Sequence, residues 1–204
     1  MVTKQIYGKG QPLVMLHGGV YGYIDEFEYL IPRLAEHYMV ICIATRGHGK
    51  SEIGTEPFSY RGRALDAYKV IRSITKDSVT VVGFSEGGFA GLELAALHPE
   101  LVKRLVAMGV GDYGEDHPKD SHYTPENLMR SDSAFFARRL KLMPEPARWR
   151  EFLDGVGGDE ALHSSLMRSS GTNPDQRPAT QQHLRMTGHQ RIETVGRKAD
   201  HQQA

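Results

Sequence analysis

A single cysteine, Cys42, stands in 204 residues, so no disulfide framework and no cysteine-rich metal site can be written for this chain. It lies in the apolar run Val40-Ile41-Cys42-Ile43 and reads as a small buried hydrophobe. Net charge is missing as well: 25 basic and 25 acidic side chains cancel. No whole-chain field is left to gather nucleic acid or an anionic membrane. No apolar stretch is long enough to span a bilayer, and Met1-Val2-Thr3-Lys4 does not lead into a secretory segment, so a cytoplasmic location is the expectation. There are no internal repeats. The length suits one domain with a core of its own.

Four short apolar runs are present: Leu13 to Leu16, Val40 to Ala44, Val79 to Val82 and Leu105 to Val110. They lack the in-out alternation of a half-exposed sheet, and the intervals between them are long enough for crossover helices, which predicts parallel strands buried on both faces. Between the first two runs, Phe27, Leu30, Ile31 and Leu34 recur at helical spacing, with a helix starting near Pro32. Between the second and third, Leu65, Tyr68 and Ile71 do the same, joined by Val70 and Ile74. Gly87 to His98 reads as a helix ended by Pro99. The class is α/β. Beyond Val110 a polar connection leads to an expected helix from Glu126 to Leu142 and the start of another at Pro146 to Leu153. From about Gly155 the chain turns polar, with little that could form a core strand.

The third run continues into Gly83-Phe84-Ser85-Glu86-Gly87-Gly88, a G-x-S-x-G placed between strand and helix. In that context Ser85 is expected at positive φ with its hydroxyl lifted above the sheet edge, Gly83 and Gly87 giving the room for strand and helix to approach. The helix N-terminus then faces the reacting centre, so that the Glu86 N–H can donate to a developing oxyanion. Two further motifs follow earlier strands: Leu16-His17-Gly18-Gly19-Val20, and Arg46-Gly47-His48-Gly49-Lys50-Ser51.

Together these three motifs, over residues 13 to 110, resemble the α/β-hydrolase fold family of esterases, lipases and C–C hydrolases. The resemblance implies a mostly parallel sheet with helices on both faces, here a core over residues 1–111. It implies the beginning of a helical cap over 112–154, and it leaves 155–204 as an irregular tail that is not the fold's natural ending, as a truncation or frameshift would produce. It implies Ser85 as nucleophile and Gly19, with Val20 next, as the second oxyanion-hole donor; His17 is read as structural and the arginine turn as scaffold. Ala44 departs from the Asp that many relatives carry ahead of that turn. No cofactor and no metal is implied, and the partner is a small-molecule substrate: an ester, an amide or a C–C bond flanked by carbonyls.

Serine chemistry of this kind needs an acid and a histidine base later in the chain. Asp112, two residues beyond Val110, occupies the place of an acid in a known variant of the family, and reads equally as a helix cap or a solvated loop carboxylate. Glu115 and Asp116 lie further from the strand end. Of the late histidines His163, His183, His189 and His201, only His189, after Gly188, has the setting of a loop base, and a solvated side chain is the plain alternative. Tyr113, Tyr123, Phe135, Phe136 and Trp149 either line an apolar pocket or form the cap's own core. A rival class is nucleotide binding, since Ala44 to Ser51 fits a relaxed phosphate loop; Glu52 to Pro57 cannot start the helix such a loop requires. A catalytically incomplete scaffold that binds a small ligand is the other alternative.

Overall fold

A computed structural model describes residues 1–110 and 123–156, and the backbone of residues 191–195. Its centre is a six-stranded sheet in the order β1-β3-β2-β4-β5-β6. The strands are β1 (Thr3–Tyr7), β2 (Gln11–Leu16), β3 (Tyr38–Ala44), β4 (Val79–Phe84), β5 (Val102–Met108) and β6 (Arg191–Val195). β1 runs antiparallel to β3, and every other pairing is parallel. Met1 to Tyr7 therefore forms no hairpin with its neighbour in sequence; the chain crosses β3 first, and β2 takes a central place.

The apolar runs are continuous because both sheet faces are covered. Val14, Leu16, Ile41 and Ile43 face one side, packing with Val81, Ala64, Ala67, Ala90 and Leu94. Leu13, Met15, Val40, Cys42 and Ala44 face the other, under Tyr23, Ile24, Phe27 and Ile31. Cys42 is fully buried as expected, and burial pushes its thiol up to about 12.

Four expected elements differ in detail. The helical pattern from Phe27 to Leu34 divides into a 3-10 turn, Ile24–Phe27, and a short α1, Ile31–Ala35, with Pro32 in its first turn and Leu30 exposed. α2 (Tyr60–Arg72) is capped by the Ser59 hydroxyl accepting from the Gly62 N–H at 2.9 Å. Its buried face is Tyr60, Arg63, Ala64, Ala67 and Ile71. Leu65, expected inside, is 38% exposed; the alanines win the inner face because they let α2 lie close against α3 (Glu86–Leu97). The expected single helix over Glu126 to Leu142 is two, α4 (Pro125–Ser131) and α5 (Ser133–Leu142). They break at Asp132, whose carboxylate accepts from the Phe135 N–H at 2.8 Å and so starts the second helix. Finally, the polar tail does contribute a strand: β6 pairs along β5 from Arg104–Arg191 to Met108–Val195. Arg191-Ile192-Glu193-Thr194-Val195 holds three β-branched residues, Ile192, Thr194 and Val195, rather than an apolar run, a composition that favours a strand.

The chain continues from α5 through a 3-10 turn, Pro146–Arg148, into α6 (Trp149–Val156). Phe136, Trp149, Leu128, Met143, Phe152 and Leu153 bury one another together with Ile53, and the same rings pack on the first half of the chain, Phe136 against Tyr21 and Phe152 against His48 and Phe58. Tyr113 lies outside the described residues. Among the described residues no helix is long and apolar enough to cross a membrane.

The register of α2 gives a direct test. Ile71→Ala, at a site with no exposure, is expected to cost about 2–5 kcal/mol in urea unfolding with the slope unchanged. Leu65→Ala is expected to cost about 0.5 kcal/mol or less; equal losses would place the wrong face inward.

Candidate active site

β4 ends at Phe84 and α3 begins at Glu86, which leaves Ser85 alone to make the turn. It does so at φ 50°, ψ −119°, and it is the only non-glycine residue at positive φ among the described residues. Such a conformation costs roughly 1–3 kcal/mol and persists only when its surroundings over-determine it. Here they do. The Ser85 N–H donates to the Met108 carbonyl at 2.7 Å, and the Ser85 carbonyl accepts from the N–H groups of Gly88 and Phe89 at 2.8 and 3.1 Å. A Cβ on Gly83 would collide with the Gly87 carbonyl, and one on Gly87 with the carbonyls of Leu16 and His17. The strand end, the helix start and the end of β2 thus meet backbone to backbone. Glu86 is the first residue of α3, so its N–H has no acceptor within the helix.

The loop after β2 is held from beneath. His17 is fully buried; its Nδ1 bonds the Gly18 carbonyl at 2.6 Å and its Nε2 accepts from the Thr45 N–H at 3.0 Å. Both ring nitrogens are used in structure, as expected. The Gly18 N–H donates to Glu26 Oε2 at 2.7 Å, and burial raises the Glu26 carboxyl against that bond. Gly19 follows, its carbonyl accepting from the Gly22 N–H at 2.8 Å. The Glu86 side chain lies directly over Gly19, where any Cβ would strike its carboxylate. That carboxylate faces Arg63 Nη1 at 2.5 Å, with side-chain exposures of 14% and 3%. Ser85, Glu86 and the Gly19 loop are therefore one cluster. Arg63 and Glu26 belong to it and were not foreseen. No sequence signal marks Glu26; Arg63 follows from setting the helical register by the Ser59 cap, since it lies three residues after buried Tyr60.

Asp112 and His189, the expected acid and base, lie outside the described residues, as do Glu115, Asp116, His163, His183 and His201. His48 is buried, its Nδ1 near the Arg46 carbonyl and the Thr45 hydroxyl at 3.0 and 3.1 Å. The Arg46 to Ser51 turn is scaffold in every contact. The Ser51 hydroxyl donates to the Ala44 carbonyl at 2.7 Å and accepts from the Thr3 N–H at 2.9 Å, tying β1 to β3. The Arg46 side chain pairs with Asp66 at 2.5 Å. The next helix starts only at Tyr60, so no helix N-terminus meets Lys50-Ser51 as phosphate binding would need. Among the described residues no cluster of three or more His, Cys, Asp or Glu side chains could hold a metal.

Two polar clasps join α5 and the turn before α6 to the loops beside this cluster. Arg139 of α5 makes paired bonds to Asp25, both 2.8 Å, and a third to the Tyr21 carbonyl at 3.1 Å. On the other side Glu145 accepts from the Ile53 N–H at 2.7 Å and Arg148 donates to the Gly54 carbonyl at 2.9 Å. A concavity of about 900 Å³ between Arg46, Pro57 and α2 contains none of Ser85, Gly19 or Glu86.

The sequence model of the alpha/beta hydrolase fold matches residues 11–152. Among curated proteins the chain is similar to 2-hydroxy-6-oxo-6-(2'-aminophenyl)hexa-2,4-dienoic acid hydrolase of Metapseudomonas resinovorans, 39% identical over 50% of this chain and 36% of that one. It is also similar to 2-(acetamidomethylene)succinate hydrolase of Mesorhizobium japonicum, 29% identical over 72% of this chain and 55% of the relative. Among solved structures, a serine hydrolase involved in carbazole degradation superposes with a TM-score of 0.60 at 27% identity, over 80% of this chain and 66% of the other. The matches thus span from about a third to two thirds of those relatives' own lengths.

Burial makes the loop sensitive to acid. Desolvation pushes His17 down to about 4 and His48 well below its ordinary range, with the Arg63 charge acting the same way. The unfolded chain takes up these protons near pH 6.5, whereas folded His17 does so only near pH 4, so stability is full above about 6.5 and falls as pH drops toward 4. His17 alone accounts for a loss of about 3 kcal/mol across that window. Urea unfolding at a series of pH values is expected to show this slope, and His17→Asn to flatten it; an unchanged slope in the variant would remove His17 as the source.

Proposed function

The chain belongs to the α/β-hydrolase fold family, and from that premise we propose that it is a serine hydrolase acting on a small ester, amide or C–C bond beside a carbonyl. The observation that carries this reading is Ser85 held at φ 50° between β4 and α3. The strain is maintained by three backbone hydrogen bonds and by glycines that nothing larger could replace, a cost with no structural return unless the hydroxyl is used.

In the proposed reaction the Ser85 Oγ attacks the substrate carbonyl carbon and loses its proton to a base. The carbonyl electron pair moves onto oxygen, where the N–H groups of Gly19 and Glu86 receive the negative charge. Collapse of this intermediate expels the alcohol, amine or carbon leaving group, which takes the proton back from the base. Water then adds to the acyl-enzyme by the same route and frees the acid and Ser85. Asp112 and His189 are the candidates for the acid and base of the triad. The small-substrate assignment is supported by the acid-bearing compounds named for the two curated relatives.

Labelling with a fluorophosphonate at neutral pH tests the reading. The parent chain is expected to be labelled, and Ser85→Ala to lose labelling together with at least about a thousandfold in p-nitrophenyl acetate hydrolysis. A folded parent that takes no label would instead leave a ligand-binding scaffold whose serine is idle.

A further inference from the structure

An acidic side chain beside the place where an oxyanion forms is chemically out of order. The Glu86 N–H is one proposed donor at that place, yet the Glu86 carboxylate lies against Gly19, the other proposed donor, and its side chain is only 14% exposed. A negative charge so placed opposes the negative charge developing on the substrate. Something must cancel or redirect it.

Arg63 is placed to do both. Its side chain is 3% exposed, reaches from the buried face of α2, and brings Nη1 to 2.5 Å from Glu86 Oε2. None of its three guanidinium nitrogens has a hydrogen-bond partner among the described residues. The Nη1 approach lacks the alignment of a hydrogen bond, so the attraction to Glu86 is one of charge. The same cation is felt by the rings of His17 and His48 beneath the loop. A buried arginine is costly unless paired, and α2 could have carried an apolar residue at this position, as it does at Ala64 and Ala67.

We propose that Arg63 is a positioning residue of the hydrolytic site: its guanidinium draws the Glu86 carboxylate onto Gly19 and supplies the counter-charge that keeps the oxyanion site from being negative. The proposal rests on the reading of Ser85 as nucleophile. Arg63 touches no reacting atom; it acts through Glu86. The pair also explains why Gly19 must lack a side chain, since the carboxylate held by Arg63 fills that space.

The test is the saturation kinetics of fluorophosphonate labelling, in which the Ser85 Oγ–phosphorus bond forms and fluoride leaves, for the parent, Arg63→Met, Glu86→Gln and the double variant. Each is to be measured well below its own unfolding midpoint. Arg63→Met leaves the carboxylate uncompensated and is expected to lower the maximal rate about tenfold with the half-saturating concentration unchanged. Removing the carboxylate as well is expected to recover most of that rate, and Glu86→Gln alone, which leaves the cation uncancelled, to exceed the parent. If Arg63→Met does not fold, the double variant, which buries no charge at this place, carries the test with Glu86→Gln: it is expected within about threefold of the parent and below Glu86→Gln. A double variant as slow as Arg63→Met, a double variant tenfold below the parent, or a Glu86→Gln slower than the parent would overturn the role of Arg63 while leaving Ser85 as nucleophile. A parent that takes no label would overturn the hydrolase reading, and this proposal with it.

Discussion

Helix α3 reaches the end of β2 only because Gly87 presents no side chain to the carbonyls of Leu16 and His17, and because Gly83 yields equally to Gly87. This contact of three main-chain segments fixes the distance from β4 to α3, and with it the single residue available for the turn. Ser85 must then take a conformation that a non-glycine residue otherwise avoids. It also brings the loop after β2 against the first turn of α3, so that Gly18 and Gly19 arrive beside Glu86. The rest of the site is arranged around this contact.

What keeps the loop in place is a layer of buried polar groups under it. His17 bridges the Gly18 carbonyl and the Thr45 N–H, Glu26 accepts from the Gly18 N–H, and Ser51 joins Ala44 to Thr3. Each bond is worth about 1 kcal/mol net, while losing one partner leaves a desolvated group that costs more than the bond was worth. The arrangement is therefore stiff at neutral pH and vulnerable where a buried imidazole must be charged. The arginine turn belongs to this layer. Gly47 lies under the ring of Phe152 from α6, so the segment that resembled a phosphate loop instead seats that helix.

The sequence showed the parts of the fold that depend on local chemistry. Apolar runs marked β2 to β5, and G-x-S-x-G between strand and helix marked Ser85. The same three motifs that carried the family resemblance, at Gly19, Arg46 and Ser85, are the ones the structure brings against or beneath one site. What was less legible depends on neighbours that only the folded chain supplies. The inner face of α2 was read from its large apolar residues, and Leu65 was placed inside; the fold chose Ala64 and Ala67 because α3 lies too close for leucine. Arg63 was overlooked because a charged residue on a helix usually marks the solvated side. β6 was not legible because it is no apolar run; only the β-branched Ile192, Thr194 and Val195 favour a strand there. The break at Asp132 was readable in Ser131-Asp132-Ser133 and was masked by the apolar residues on either side.

Helices α4 to α6 are held on the rest of the chain by both apolar and polar contacts. Phe136 meets Tyr21, and Phe152 meets His48, Phe58 and the bare face of Gly47. Around these rings Arg139 pairs with Asp25 and Tyr21, and Glu145 and Arg148 bond Ile53 and Gly54. Asp25 and Tyr21 are in the segment that continues from Gly19, and Ile53 and Gly54 follow the turn that His17 and Thr45 support. Both clasps therefore end on loops whose other ends form the floor of the Ser85 site. A shift of α4 to α6 cannot be confined to those helices, because the side chains holding them bond the same loops that His17, Glu26 and Ser51 anchor from the other side.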